Sequence, residues 1–297
     1  MNKTIQGLVL ALLLSLSVLL VGTAFAQSDD GLKVFISVDM EGVTGVVNGD
    51  DASRNGKDYD YFRQTMTREA NAAIEGAIAA GATEIIVRDS HGSALNLLPE
   101  MLHRSAKFIR DWSGGPMSMM EGIDASYDAA IFVGYHARAG TADGVLDHTS
   151  SGNVTDVSIN GLQMPETGYN ALMAGYYDVP VVFVAGDKAV CDQAKELLGN
   201  VETVAVKEGI GAAALNLHPE EARDRIRAGV ENALQNLGDY KPYKLSAPYT
   251  MVLTLKSEQS IYEGALYPGA ERTGDWELTY VAQDVMELML AYRGMRR

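Results

Sequence analysis

The apolar and polar positions divide the chain into short apolar runs that alternate with longer segments of helical period. The short runs are rich in Val and Ile and end at Gly, Asp or Pro, which is typical of buried strands. Predicted strands cover Leu32–Val38 and residues 83–87, 129–133, 179–185 and 201–206, and predicted helices cover residues 61–80, 166–177, 187–198 and 219–237. This alternation predicts an α/β fold with a mainly parallel sheet flanked by helices.

Two segments depart from this alternation. Residues 157–164 alternate around Asn160-Gly161, a favoured two-residue turn, and predict a β-hairpin. Beyond about residue 240 the pattern predicts a strand at 249–256, a loop with Gly and Pro, and a final helix at 276–292. We therefore predict an α/β catalytic domain over residues 27–240. We also predict that residues 241–297 form a small C-terminal α+β extension, which is either a subdomain or the edge of the same sheet.

The first 26 residues have the pattern of a secretory signal peptide. Lys3 precedes an apolar run over residues 8–21, and Ala24-Phe25-Ala26 matches the small-x-small site of signal peptidase. This run is short for a membrane-spanning helix, which needs about 20 residues. We predict that residues 1–26 are cleaved, that the protein is exported to the periplasm or secreted, and that no stable membrane span remains. An uncleaved anchor is the alternative.

Composition narrows the class of protein. The chain of 297 residues is 47% hydrophobic, which is enough for a large core. It has 24 Lys and Arg against 39 Asp and Glu, for a net charge of −15. No nucleic-acid partner is expected, because phosphate contacts need clustered Lys and Arg. The single cysteine excludes an internal disulfide.

Metal-ligand residue types follow three predicted strands. Asp39 and Glu41 follow the first strand on one side of the chain, about 6.7 Å apart along the backbone. His91 follows the second strand and His136 the third. Taken one at a time, the two acids resemble solvated turn residues, and the two histidines resemble ordinary polar loop residues. The carboxyl ends of adjacent parallel strands share one edge of a sheet, where ligands bind. Together they form an oxygen and nitrogen set suited to zinc or manganese.

A second metal ion is possible because the carboxylate of Asp39 has two oxygens and can bridge. Glu166 is the best candidate to complete its shell, although an acid at a helix start is also favoured by the helix dipole. His148 lies in a loop of small and polar residues and is either a general acid or base or a surface histidine. Gly42 leaves room for a close approach to the backbone.

Common catalytic motifs are absent from the sequence. It contains no H-E-x-x-H, G-x-S-x-G, paired C-x-x-C or Walker phosphate loop. Residues 209–214 match the permissive G-x-G-x-x-A pattern, but a dinucleotide site normally uses the first βα turn. We interpret this segment as a Gly-rich connection from a strand to a helix.

The ordered set of blocks resembles the family of zinc-dependent D-aminopeptidases of the dipeptide-operon type. The blocks are Ser37-Val-Asp-Met-Glu-Gly42, Asp89-Ser-His91, residues 134–138, His148, residues 166–170 and residues 174–182. They cover nearly the whole mature chain before the tail.

The resemblance implies a site with two zinc ions per subunit, manganese being the alternative metal. It implies that Asp39 bridges the ions, that Glu41 and His91 complete one shell, that His136 and Glu166 complete the other, and that His148 acts in catalysis. It also implies a ring-like homo-oligomer.

The expected function is that of an exported dinuclear zinc aminopeptidase, which removes N-terminal D-amino acids from short peptides with a metal-activated water. One alternative is another dinuclear metallohydrolase, an amidase or a phosphoesterase, which would use the same ligand types. The other is a non-catalytic peptide-binding protein, whose peptide affinity would survive chelation by EDTA.

Overall fold

The protein is described from a computed structural model, which covers residues 31–296. Its strands are β1 (Leu32–Val38), β2 (Ala82–Asp89), β3 (Ala106–Ile109), β4 (Ala129–Tyr135), β5 (Val154–Ile159), β6 (Leu162–Gln163), β7 (Val181–Asp187), β8 (Glu202–Ile210), β9 (Ala213–Asn216), β10 (Tyr249–Leu255), β11 (Glu271–Arg272) and β12 (Glu277–Ala282). Its α-helices are α1 (Gly49–Ala52), α2 (Tyr59–Ala79), α3 (Glu166–Tyr176), α4 (Lys188–Leu198), α5 (Pro219–Gln235), α6 (Glu258–Gly264) and α7 (Val285–Met295). The predicted signal peptide, residues 1–26, lies outside the described residues. Within residues 31–296, no helix has the length and apolar character to cross a membrane.

The central sheet has the strand order β3-β2-β1-β4-β7-β8-β9. Neighbouring strands are parallel except β8 and β9, which pair antiparallel. β4 and β7 are buried along their whole length. The sequences of β4 and of β7 before Asp187 are therefore almost entirely apolar, because helices cover both faces of a parallel sheet. The prediction of an α/β fold with a mainly parallel sheet is confirmed.

The two faces of the sheet belong to two apolar cores. Val34 and Ile36 of β1 pack in the core that contains residues of α2 and α5. Phe35 points to the opposite face, as alternation along a strand requires, and packs in the core that contains residues of α3, α4 and α7. The predicted helix over residues 61–80 agrees with α2 to within two residues at each end.

A second, antiparallel sheet joins the tail to an earlier segment of the chain. Its strand order is β11-β12-β10-β5-β6, so β10, the first strand after residue 240, pairs with β5. The tail therefore does not extend the edge of the central sheet. The predicted hairpin is present between β5 and β6, and Asn160 and Gly161 have the positive φ angles of 52° and 79° that its tight turn requires.

Two local predictions were wrong. Residues 276–292 form β12 followed by α7, not one helix, because Leu278 and Ala282 alternate into the core and Asp284 caps a new helix by accepting a hydrogen bond from the amide of Glu287. The Gly-rich residues 209–214 do not connect a strand to a helix. They form the turn of the β8–β9 hairpin, where Gly211 has a φ of +57°.

Candidate metal centre

The predicted ligand residues lie at the carboxyl ends of three adjacent strands. β1 pairs with β2 on one side and with β4 on the other, all parallel. Asp39 and Glu41 follow β1, His91 follows β2 and His136 follows β4. Glu166 is the first residue of α3.

Two glycines allow the ends of β1 and β4 to approach closely. The amide of Gly42 donates to the carbonyl of Gly134 over 2.7 Å. A Cβ atom on Gly42 would overlap the carbonyl oxygen of Tyr135, and one on Gly134, whose φ is +71°, would overlap the carbonyl of Asp39. The space predicted beside Gly42 is therefore filled by the protein's own backbone, and this contact brings Asp39 and His136 together.

His91 faces two carboxylates with one ring nitrogen. Its Nδ1 lies 2.9 Å from Oε2 of Glu41 and 3.3 Å from Oδ1 of Asp39. Its Nε2 lies 2.8 Å from the carbonyl oxygen of Ala52, which accepts a hydrogen bond from it. In the neutral ring this bond leaves Nδ1 with a lone pair facing carboxylate oxygens. Such an arrangement requires a proton or a metal cation between them.

His136 and His148 show the same arrangement with the two ring nitrogens exchanged. Their Nδ1 atoms lie 2.9 Å from the backbone carbonyls of Ala137 and Leu146, respectively. The Nε2 atom of His136 lies 3.6 Å from Oδ2 of Asp39 and 3.6 Å from Oε1 of Glu166. It is buried and has no hydrogen-bond partner among the described residues. A buried nitrogen without a hydrogen-bond partner is rare in proteins, and a metal ion bound to this nitrogen would be its partner.

The charges of this cluster are strongly perturbed. Burial and the neighbouring Glu41 raise the pKa of Asp39 to about 8. Burial alone would lower the pKa of His136, but the carboxylates of Glu166 and Asp39 outweigh it and raise that pKa to about 10. Likewise, His91 outweighs the effect of burial and holds the pKa of Glu41 well below its usual range. Three buried acids around His91 and His136 require compensating positive charge, from protonated histidines or from metal.

The donor atoms fit divalent metal ions. Those of Asp39, Glu41 and His136 lie within 4.8 Å of one another, and so do those of His136, His148 and Glu166. Carboxylate oxygens and imidazole nitrogens are the donors that zinc takes in enzymes. The second group includes His148, which the family resemblance places in catalysis. Its Nε2 lies 3.7 Å from Oε1 of Glu166.

Ser150 is a site residue that sequence reasoning missed. Its amide donates to Oε1 of Glu166 over 2.6 Å. Its hydroxyl lies 2.8 Å from the hydroxyl of Tyr169 and 2.7 Å from that of Tyr292. These bonds orient the Glu166 carboxylate and tie α7 to the site. No local pattern in the sequence indicates a contact between residues so far apart.

Lys207 is a second residue that was missed. It is buried in β8, and its Nζ donates to the backbone carbonyls of Glu41, Val43 and Val46. It therefore holds the loop that carries Glu41. The sequence feature that could have indicated Lys207 is its position at the carboxyl end of a predicted strand, one residue beyond the predicted end at 206.

A cavity of about 420 Å³ opens over the cluster. Asp39, Glu41, His91, His148 and Glu166 line it. Its wall also includes Trp112 and two arginines of the C-terminal region, Arg293 and Arg296. The volume lies in the range of sites that bind small molecules.

Comparison with known proteins leads to the same family. The family model described as D-aminopeptidase matches residues 32–293. The D-aminopeptidase of Bacillus subtilis (strain 168) is 40% identical over 270 residues, which cover 89% of this chain and 95% of that protein. A solved structure, described as the Zn-dependent D-aminopeptidase DppA from Bacillus subtilis, a self-compartmentalizing protease, matches with a TM-score of 0.86 and 37% identity. That match covers 89% of this chain and 96% of the other.

The family match spans both the central sheet and the tail, including the strands that the sequence resemblance did not cover. The family predicted from the ordered sequence blocks is therefore confirmed, together with the enzyme class that it implies. The chain belongs to the D-aminopeptidase family of peptidases.

Proposed function

We propose that this protein is an exported dinuclear zinc aminopeptidase that removes N-terminal D-amino acids from short peptides. One observation carries the proposal: the buried Nε2 of His136, which has no hydrogen-bond partner among the described residues, lies 3.6 Å from a carboxylate oxygen of Asp39 and 3.6 Å from one of Glu166. The similarity to a protein described as a Zn-dependent D-aminopeptidase supports zinc as the metal and D-amino-acid peptides as the substrate.

Five residues would hold the metal. Asp39 has Oδ1 directed to His91 and Oδ2 directed to His136, so its two oxygens serve two positions. Glu41 and His91 complete one position, and His136 and Glu166 complete the other. Bound zinc supplies Lewis-acid chemistry, which polarises a peptide carbonyl and lowers the pKa of water.

His148 would move the proton. It lines the cavity, and its side chain is 30% exposed, whereas that of His136 is fully buried. Its Nδ1 lies 2.9 Å from the carbonyl of Leu146, which leaves Nε2 free to exchange a proton near Glu166. A histidine is suited to this role because its ordinary pKa lies close to neutral pH.

The location and assembly are part of the same proposal. The signal pattern of residues 1–26 supports export. A ring-like homo-oligomer is supported by the similarity to a protein described as a self-compartmentalizing protease.

The test compares wild type with His136→Ala, and with His103→Ala as the matched control outside the site. Zinc per chain is measured together with hydrolysis of D-Ala and L-Ala peptides. We expect His136→Ala to lose zinc and D-peptide hydrolysis, while the control keeps both. Retained metal and undiminished activity in His136→Ala would refute the site assignment.

A substrate panel separates the alternative functions. Phosphate esters and non-peptide amides test for a different dinuclear hydrolase, and EDTA tests the role of metal. We expect turnover of D-aminoacyl peptides that chelation abolishes. Tight peptide binding that persists in EDTA, together with no turnover in the absence of EDTA, would instead indicate a non-catalytic binding protein.

A further inference from the structure

Two arginines in the cavity wall have no assigned role. Arg293 lies in the last turn of α7, and Arg296 directly follows that helix. Both line the cavity that contains the carboxylates of Asp39, Glu41 and Glu166. In a protein with a net charge of −15, two cations beside a buried acidic cluster call for an explanation.

Neither arginine is neutralised by a carboxylate of the described residues. Among residues 31–296, no carboxylate lies within 4.0 Å of a nitrogen of Arg293 or Arg296. The Nε of Arg296 is buried and has no hydrogen-bond partner among the described residues. Partly buried guanidinium groups normally have partners, because five N–H donors are costly to leave unpaired.

Arg296 is connected to the metal-site residues through Tyr292 and Ser150. The guanidinium of Arg296 lies 5.3 Å from the ring centre of Tyr292. The hydroxyl of Tyr292 lies 2.7 Å from Oγ of Ser150, whose amide donates to Glu166. Arg293 lies in the last turn of α7 and Arg296 caps it three positions later, a spacing that on a helix places two Cβ atoms about 5–6 Å apart. Both groups can therefore approach a single anion.

A helix C-terminus alone does not explain these positions. The helix dipole favours cations near Met295, where α7 ends, but a solvent-facing lysine or arginine satisfies that preference. Arg293 and Arg296 instead line a cavity that is built around three acids. The cavity thus has both an acidic cluster and two cations that have no carboxylate partner among residues 31–296. A free short peptide has the same distribution, an amine at one end and a carboxylate at the other.

We propose that Arg293 and Arg296 bind the C-terminal carboxylate of a short peptide while its amino end lies at the acidic cluster. A guanidinium matches a carboxylate with two parallel hydrogen bonds, which makes it the preferred residue for this recognition. The pair selects peptides with a free C-terminus that fit within the cavity. This inference rests on the proposed peptidase function and specifies its substrate class.

The kinetic test uses D-Ala-D-Ala and its C-terminal amide. They are compared on the zinc-loaded wild type, on the double variant Arg293→Met/Arg296→Met, and on Arg104→Met as an exposed arginine outside the cavity. We expect the wild type and the control to favour the free acid in kcat/KM by about tenfold or more, mainly through KM, since charged hydrogen bonds are strong. The double variant is expected to lose that preference.

A binding test separates this inference from the proposed function. The probe is D-Ala-D-Ala with a reduced, uncleavable peptide bond, as free acid and as amide, titrated calorimetrically into the same proteins. Selective binding of the acid that disappears in the double variant supports the arginine assignment even if no peptide is hydrolysed. Equal binding of acid and amide by wild type, or an unchanged selectivity in the folded double variant, overturns it.

Discussion

The imidazole ring of His148 stacks on that of His136, with ring centres 4.0 Å apart and planes 13° from parallel. His136 is buried beneath, between Asp39 and Glu166, and His148 lies above it on the cavity side. The stack fixes the position of His148, a loop residue, against His136 at the end of β4. Nε2 of His148 is thereby held near Glu166, where the proposed proton exchange with bound substrate would take place.

We expect His148→Ala to lower kcat by about 10²–10⁴-fold, the usual contribution of a positioned acid or base, and to leave zinc per chain unchanged. Steady-state kinetics on a D-Ala peptide and elemental analysis measure the two quantities. His136→Ala is the comparison, since it should lose zinc as well. If His148→Ala also loses zinc, His148 belongs to the metal shell, as its distance from Glu166 allows.

Gly42→Ala tests the close contact between β1 and β4. The added methyl group would overlap the carbonyl oxygen of Tyr135, which is backbone and has little freedom to move. We expect a loss of about 1–3 kcal/mol or more in the free energy of unfolding, with weaker zinc binding. Gly49→Ala is the control, because no atom lies within 4 Å of the position that its Cβ would take. Equal stability of the two variants would contradict the proposed role of this contact.

The edge of the sheet where the site lies was predictable from the sequence because it depends on local pattern. Asp39, His91 and His136 each follow a short apolar run, and parallel strands place such residues at one edge. The short, mainly apolar sequences of β1 and β4, which contain Val and Ile, made these strands recognisable.

The supporting contacts were not predictable because they depend on packing between distant segments. Tyr292 meets Ser150 because β10 pairs with β5 and β12 pairs with β10, whereas the sequence pattern predicts a single helix over residues 276–292, where β12 and α7 lie. The good helix formers after Asp284 obscured the alternation of β12. Lys207 is bound by backbone carbonyls, which no side-chain pattern reveals.

Lys207→Met tests the support of the Glu41 loop. The substitution keeps the aliphatic chain but removes the group that donates to the carbonyls of Glu41, Val43 and Val46. The carbonyl of Val43 keeps a hydrogen bond from the amide of Val46, but each buried carbonyl left unpaired costs about 1–3 kcal/mol, so we expect destabilisation and weaker zinc binding. Urea unfolding and a zinc titration measure both effects. Lys195→Met, at an exposed position of α4, is the control, and a zinc affinity equal to that of the control would contradict the role of Lys207.

Glu69→Gln tests a buried acid behind the same loop. One carboxylate oxygen accepts a hydrogen bond of 3.0 Å from the amide of Thr44, and the other has no partner among the described residues. Burial raises the pKa of Glu69 to about 7 from its ordinary value of 4.5. The folded state therefore binds this proton more tightly than the unfolded state. The stability that protonated Glu69 provides is present below pH 4.5 and is lost as the pH rises through 7.

A glutamine at position 69 keeps the acceptor for Thr44 and carries no charge. The free energy of unfolding of Glu69→Gln, minus that of wild type, should therefore increase between about pH 4.5 and 7, by at most about 3 kcal/mol. Urea unfolding in EDTA at several pH values measures this difference without metal binding. Glu75→Gln, at an exposed position of the same helix, is the control. A difference for Glu69→Gln that stays constant with pH would show that Glu69 titrates alike in the folded and unfolded states, and that its burial leaves its charge unaffected.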